Sequence, residues 1–482
     1  MEARLEVLSR TEQARIHERT LDVLGTVGMR IDTVEGRAIL AEHGAMVDEQ
    51  TGLLRFPPEL VEQSIARSTK TFAIGGVRSD WRFDVNAGES TLIASGEAPQ
   101  VLDRTTGKVR DCTFEDWNEA TRLLDAIDDV GVYWQMMSVP ENQTTAQRVR
   151  YFSDVVRLFG KHVQESFSDP RIAPWLREIL QVTIGSTEEI RRRHPLSFLL
   201  TPVSPLALER SYTDSWLAMR GLDIPVSILP MPQMGATSPA SPLSTVLLAN
   251  CEALGTLCLV QCADPGVPVI YSAVPIVMDP RSGFWSGVAP YCFLHVATTQ
   301  MARFYGFPAT ASACDTDHFF PGVQAGIEKG ISALAPMLGG ADFLVGPGVL
   351  GSATVWSREQ VAIDVETFRI SRFIRRGISE ADDSMTDVIA KVGPGGHFVA
   401  ESSTRRAMRD GTWFMPELGW HASFVAWQEA GRPSLHEQAS EKADELLAGE
   451  PSWRLDEAAD KALTAICNGA AKAQAAGAVP KV

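Results

Sequence analysis

The chain has 482 residues, 45% apolar and 22% charged, the balance of a folded protein whose core needs no disulfide or metal staple. Its net charge of −16 is spread along the sequence, and an acidic surface repels a phosphate backbone, which argues against nucleic acid as a partner. The seven cysteines lack a paired C-x-x-C spacing, the charged N-terminus lacks an apolar signal core, and no segment approaches the roughly 20 apolar residues of a membrane span, so we expect a reducing, cytoplasmic setting away from membranes.

Residues 1–85 read as an N-terminal cap of helices and short strands. Thr11–Val27 places Ile16, Leu21 and Leu24 at helical spacing, Thr33–His43 repeats that pattern, and Pro57-Pro58 opens a third helix. A strand and hairpin are expected around Thr71–Phe83. From 86 to 380 the pattern alternates. Short apolar runs at Thr91–Gly96, Gly131–Ser138, Lys161–Ser168, Pro195–Pro202, Pro225–Met231, Pro268–Ala273, Pro308–Cys314 and Phe343–Gly348 read as strands. Helices are predicted between them at Thr113–Ile127, Thr145–Gly160, Ile172–Ile184, Ala207–Arg220, Leu243–Ala263, Pro290–Tyr305 and Gly322–Leu338, with Arg358–Arg375 after the last. Thr113 with Asp116, Ser241 with Pro242, and Ser357 supply start signals. Eight strand-helix units in succession imply an α/β fold, a closed (β/α)8 TIM barrel.

Residues 381–482 read as a C-terminal helical extension. A helix at Ala381–Lys391 leads into the glycine-rich turn Gly393–His397, then an aromatic stretch and a last charged helix. The turn reads equally as a lid over the barrel mouth or as a plain connection with a buried histidine. The basic clusters Arg191–Arg193 and Arg372, Arg375 and Arg376 lie at helix ends, where cations are favoured.

A barrel of this kind does its chemistry at the carboxyl ends of its strands. Position alone therefore selects Glu97, Trp134 and Gln135, Glu165 and Phe167, Thr201 and Ser204, Gln233, Tyr271 and Ser272, Asp315, Asp317 and His318, and Gly346 and Gly348, with Phe284, Trp285 and Tyr291 on the long loop after the sixth strand. Aromatic faces with a few carboxylates suit a cationic ligand, because the ring quadrupole attracts ammonium groups. The same rings could instead fill the upper layer of the barrel. Cys314, Asp315, Asp317 and His318 lack the convergent histidines zinc requires, so no metal is assigned. Gly346–Gly351 fits G-x-G-x-x-G, but it follows the eighth strand and contains Pro347, so it reads as close backbone approach to a ligand or as a tight turn. No nucleophile elbow or Walker loop occurs, and no residue is assigned a catalytic role.

Several stretches resemble the trimethylamine:corrinoid methyltransferase family: PPELVEQSIARS (57–68), VLDRTTGKVRDCTFEDW (101–117), ILPMPQMGATSP (228–239), PGVPVIYSAVPIVMDPRSG (265–283), QMARFYGFP (300–308), TDHFFPGVQAGIEK (316–329) and VGPGGHF (392–398). They run in the family's order over nearly the whole chain. The resemblance implies a barrel that moves a methyl group from a methylated amine to the cobalt of a separate corrinoid protein. Founding members carry pyrrolysine on a late strand. This sequence has none, and the glycine-rich Phe343–Gly351 occupies that region, so it resembles the non-pyrrolysine branch, whose known substrates are quaternary amines such as glycine betaine. Phe319 and Gly322 stand where a basic and an acidic residue are expected, and Gly346 and Pro347 replace histidines.

A quaternary ammonium is already activated, because it leaves as a neutral amine. By location at the mouth, Trp134, Trp285, Phe319 and Trp356 are expected to hold the trimethylammonium head. Gln135, His318, His397 or amides near Gly348 would orient a distal carboxylate. The expected acceptor is a corrinoid (cobalamin) on a partner protein, or tetrahydrofolate in its place. A non-catalytic betaine-binding barrel and a barrel taking a phosphorylated ligand at Gly346–Gly351 are the rivals. A homo-oligomer is expected.

Overall fold

Each of the eight apolar runs contains a strand, and the strands close. β1 (Thr91–Ile93), β2 (Val130–Tyr133), β3 (His162–Glu165), β4 (Leu196–Leu200), β5 (Val226–Ile228), β6 (Val269–Tyr271), β7 (Thr310–Ser312) and β8 (Phe343–Val345) form one parallel sheet in the order 6-5-4-3-2-1-8-7. A parallel bridge between Tyr271 and Ala309 joins its two edges. The computed structural model describes residues 2–94, 96–139, 144–286, 289–378 and 385–477.

Helices α1 (Phe114–Asp125), α2 (Thr145–Leu158), α3 (Ala173–Ile184), α4 (Arg210–Leu217), α5 (Pro242–Ala263), α6 (Cys292–Tyr305), α7 (Val323–Gly339) and α8 (Arg358–Arg376) follow the strands in turn. Their starts obey local chemistry. Thr113 and Asp116 form a reciprocal capping box, and Ser357 Oγ accepts from the Gln360 N–H. Ser241 precedes α5 without a side-chain cap, so Pro242 at the first position is the effective signal there.

The expectation that no segment is long and apolar enough for a membrane span needs correction. α5 has 22 residues and a mean hydropathy of 1.7 in its most apolar window, enough by length and composition. In the fold 78% of that window is buried, because α5 packs under the N-terminal helices Arg10–Thr26 and Pro58–Arg67 as well as against the barrel. Its uniform apolarity reflects burial all round, and Cys258 and Cys262 are part of that core.

The hairpin Phe72–Gly75/Arg82–Val85 plugs one end of the barrel, as Ile74 and Val85 join Ile93, Val132, Ile270, Phe343 and Val345 in one apolar cluster. The Thr187–Arg193 helix was not foreseen. Arg191 donates to the Gly221 carbonyl and Arg193 to the Gly76 carbonyl, so this basic cluster serves helix and loop ends. The N-terminal strand Met29–Ile31 pairs in parallel with Ala207–Leu208, part of the loop after β4. That loop is also tied from α5, where Glu252 accepts from the Leu206 N–H at 2.9 Å and from Ser204 Oγ at 2.8 Å. The N-terminal residues thus fix a mouth loop as well as covering α5.

The C-terminal helix Leu435–Ala448 packs on α8, and Glu457–Ala475 packs on α2 and α3. The expected 380/381 boundary, the start of the Ala381–Lys391 helix and the chain's last five residues lie outside the described residues; the helix is described from Met385 to Val392.

Candidate active site at the barrel mouth

A cavity of about 510 Å³ opens at the carboxyl ends of the strands. Its apolar lining comes from the barrel: Leu199 on β4, Leu229 after β5, Val274 after β6 and Val345 on β8. Trp134 follows β2 directly, its N–H donating to the Ala94 carbonyl at 3.0 Å, and its side chain packs on Leu199, Leu229 and Val274. Trp285 reaches the same cavity by another route. A hairpin pairs Met278 with Trp285, and the turn between is held by Asp279, which accepts from the Arg281 and Ser282 N–H groups. The indole N–H groups of Trp134 and Trp285 are both buried, and neither has a hydrogen-bond partner among the described residues.

Three carboxylates share the wall. Asp315 lies beyond β7 and accepts from Ser312 Oγ; burial pushes it up to about 7, with the Ser312 bond and Lys329 opposing. Glu97 stands at the rim, its carboxyl raised by desolvation and pulled back by Arg148. Glu209 caps α4. Burial works to raise it, but hydrogen bonds from Ser211 Oγ and from the Ser211 and Tyr212 N–H groups outweigh that and hold it below the ordinary carboxylate value. No lysine or arginine stands among the described lining residues.

Two glycines after β8 have distinct jobs. Gly346 lines the cavity at φ 118°, and a Cβ there would lie 2.5 Å from the Ala313 carbonyl oxygen. Gly348, at φ 84°, is set by packing: a Cβ would fall 2.5 Å from Val361 Cγ2 and 2.8 Å from Trp356 Nε1. Behind this turn lies a buried ion pair, Lys329 Nζ to Asp364 Oδ2 at 2.9 Å. Lys329 also donates to the Cys314 carbonyl, and Asp364 Oδ2 accepts from the Gly348 N–H at 2.8 Å. The pair thereby clamps the loops after β7 and β8 together.

Of the residues chosen from sequence, Glu97, Trp134, Thr201, Trp285, Asp315 and Gly346 converge on the cavity. Tyr271 does not line it: Ile270 takes the inward position on β6, and Tyr271 points out to α5, its hydroxyl donating to Asn250 Oδ1 at 2.9 Å. Trp356 is buried behind Gly348 rather than facing a ligand. Phe319 is exposed and lays its ring over Gly351, where a Cβ would meet it at 2.3 Å. Asp317 accepts from Ser352 Oγ and so ties the loop after β7 to the turn after β8, while the His318 ring bonds to the Phe320 backbone within its own loop. Gln135 turns to Arg148 and borders an adjoining compartment. His397 is exposed in the C-terminal extension and is not among the residues lining the cavity; of the two readings of its turn, the one with a buried histidine does not hold. The wall residues Tyr212 and Glu209 escaped a reading confined to strand ends, although the Glu209–Tyr212 capping pattern beyond the loop after β4 was a usable signal; Met231, at the end of the fifth run, was passed over.

A profile of the trimethylamine methyltransferase (MTTB) family matches residues 1–473. The chain belongs to this family. It is accordingly a methyltransferase. The trimethylamine methyltransferase MttB of Methanosarcina barkeri is 27% identical over 478 residues, covering 97% of this chain and 96% of the relative. MttB of Desulfitobacterium hafniense is 26% identical over 434 residues, covering 90% and 87%. The glycine betaine methyltransferase of Desulfitobacterium hafniense strain Y51 is 25% identical over 463 residues, covering 95% and 96%. Among solved structures, the Methanosarcina barkeri monomethylamine methyltransferase MtmB aligns with a TM-score of 0.46 and 9% identity over 90% of this chain and 92% of that one.

Proposed function

We propose that this enzyme removes one methyl group from a betaine-type quaternary ammonium and passes it to the Co(I) of a corrinoid carried by a separate protein. One observation carries the reading: a cavity walled by two tryptophans and three carboxyl groups, with no lysine or arginine among its described lining residues. Such a wall attracts an onium ion through ring faces and negative charge. It offers nothing to a phosphorylated ligand, which disfavours that rival. Membership of a family of methyltransferases disfavours a purely binding role.

In the transfer the cobalt's electron pair forms the new Co–CH3 bond. The C–N bonding pair returns to nitrogen, and a neutral tertiary amine leaves, so the protein needs no general base. The work of the chain is to orient the ammonium and exclude water. Leu199, Leu229 and Val274 keep the floor dry, which favours a step in which opposite charges cancel. Three carboxyl groups holding the cation too firmly would oppose transfer, since only preferential transition-state binding accelerates it. The raised Asp315 moderates that hold.

The acidity of Asp315 makes cation binding depend on pH. Below about 7 its carboxyl is neutral, and above it is an anion facing the cavity, so affinity for a quaternary ammonium should tighten as pH rises through that range. Glu165, also raised to about 7 by burial, lies near Arg148 and Glu97 and adds to the same trend. Calorimetry in buffers of different ionisation enthalpy should detect proton release on binding at pH 7, and Asp315→Asn should reduce both the release and the pH slope. A slope unchanged by Asp315→Asn removes Asp315 from the account.

The reaction is tested by incubating the protein with betaines and reduced cob(I)alamin. Methylcobalamin absorbance together with the demethylated amine supports the proposal. Turnover only with tetrahydrofolate moves the acceptor, and no demethylated product with either acceptor refutes the reading.

A further inference from the structure

Beside the ring-lined cavity lies a second compartment of about 240 Å³ with a different chemistry. Its walls are polar, formed by Gln135, Ser138, Thr144, Thr145, Ser168 and the guanidinium of Arg148, among others. The two compartments share Glu97, Ser166 and Tyr212, which form a neck between them. Arg148 sits in the first turn of α2 and is half-buried. Its recorded hydrogen bonds go to neutral acceptors, the Gln135 side-chain oxygen at 3.1 Å and the Ser166 carbonyl at 3.3 Å. No carboxylate within 4.0 Å is recorded for it among the described residues, whereas Arg150 and Arg157 on the same helix each pair with Asp154. Its charge also acts on the nearby carboxyls of Glu97 and Glu165, but with only neutral acceptors on its N–H groups the guanidinium keeps donor capacity for something else.

We propose that Arg148 is the anion-binding residue of the substrate site, holding a carboxylate in the polar compartment while the quaternary ammonium of the same molecule lies between Trp134 and Trp285. This rests on the reading of the larger cavity as an onium site and names the substrate class more closely: a zwitterion whose tail crosses the neck at Glu97, Ser166 and Tyr212. The acids near the tail leave room for it. Asp169 is engaged by Thr145 Oγ1 at 2.6 Å and by Arg171 at 2.7 Å. Glu97 stands at the neck, where it faces the cationic half as well. Separate compartments for the two charges also leave the reacting N–CH3 end free of the tail.

The test is calorimetric and needs no methyl acceptor. The probes are 4-(trimethylammonio)butanoate and pentyltrimethylammonium, matched in length and differing in the carboxylate. The unaltered protein should bind the zwitterion about tenfold or more tightly than the simple cation, the scale of a charge-assisted hydrogen bond. Arg148→Met should erase that preference while leaving pentyltrimethylammonium within roughly twofold, and Arg148→Lys should keep part of it. Equal binding of the two probes by the unaltered protein overturns the assignment of Arg148 alone, even if Arg148→Met does not fold. A preference that survives in Arg148→Met overturns it as well and moves the carboxylate to the unpaired indole N–H groups. Failure of both probes to bind the unaltered protein sinks the onium reading and this one with it.

Discussion

Replacing Trp134 by alanine is expected to raise KM for a quaternary ammonium substrate by about 30-fold or more, the equivalent of about 2 kcal/mol for a desolvated ring-cation contact. The effect is large because the proposed function gives Trp134 a face for the cation in addition to its packing over Leu199, Leu229 and Val274. Water admitted over those residues would weaken the charge-cancelling step too, so kcat should fall with KM rather than hold. Trp134→Phe separates the roles. It keeps a ring and most of the packing, and should recover most of both constants. Trp285 hangs on a hairpin instead of a barrel strand, so Trp285→Ala should raise KM with less change in the melting temperature than Trp134→Ala. Steady-state kinetics with a betaine and saturating acceptor give the comparison. Equal KM for Trp134→Ala and the unaltered enzyme would remove the ring from the site.

The second large effect is structural. Lys329→Met should destabilise the fold by about 3–5 kcal/mol, because it strands the Asp364 carboxylate in the interior. Burial already raises Asp364, and Lys329 is the largest influence opposing that rise. The loss should be seen as a lower urea midpoint with the slope little changed. Removing both charges, Lys329→Met with Asp364→Leu, should restore much of the stability, since a buried pair is worth little net against apolar neighbours. Activity should not return with it. Asp364 also accepts from the Gly348 N–H and Lys329 donates to the Cys314 carbonyl, so the double variant loses the clamp on the loops that carry Asp315 and Gly346. Full activity in the stable double variant would show that the clamp does not position the site.

The barrel was legible because each strand is a short apolar run bounded by proline, glycine or polar residues, and several of the helices carry a start signal. What the sequence concealed follows from the same rules. Period-two alternation sends neighbours to opposite faces, so a choice of one residue decides inside from outside: Ile270 faces the barrel interior and Tyr271 faces Asn250 on α5. Two-residue strands have no readable period. Val349–Leu350 and Val355–Trp356 form such a hairpin, which is why Trp356 passed for a ligand contact while it packs behind Gly348. Arg148 was missed for another reason. It lies on a helix beyond a strand loop, and only the fold brings its first turn beside Glu97 and Ser166. Tyr212 and Glu209 arrive by a still longer route, through pairing of Met29–Ile31 with the loop that precedes them. The α5 helix, against the expectation from sequence, is long and apolar enough for a membrane span, and its neighbours show it to be a core element.

The proposed function requires that a positively charged nitrogen, rather than merely a bulky apolar head, is what the mouth recognises. Calorimetric comparison of choline with its neutral carbon isostere, 3,3-dimethylbutan-1-ol, tests this directly, because the two share shape and hydroxyl and differ in charge. Choline should bind about tenfold more tightly at pH 8, and Trp134→Ala should remove most of the difference. Equal or tighter binding of the neutral alcohol would contradict it.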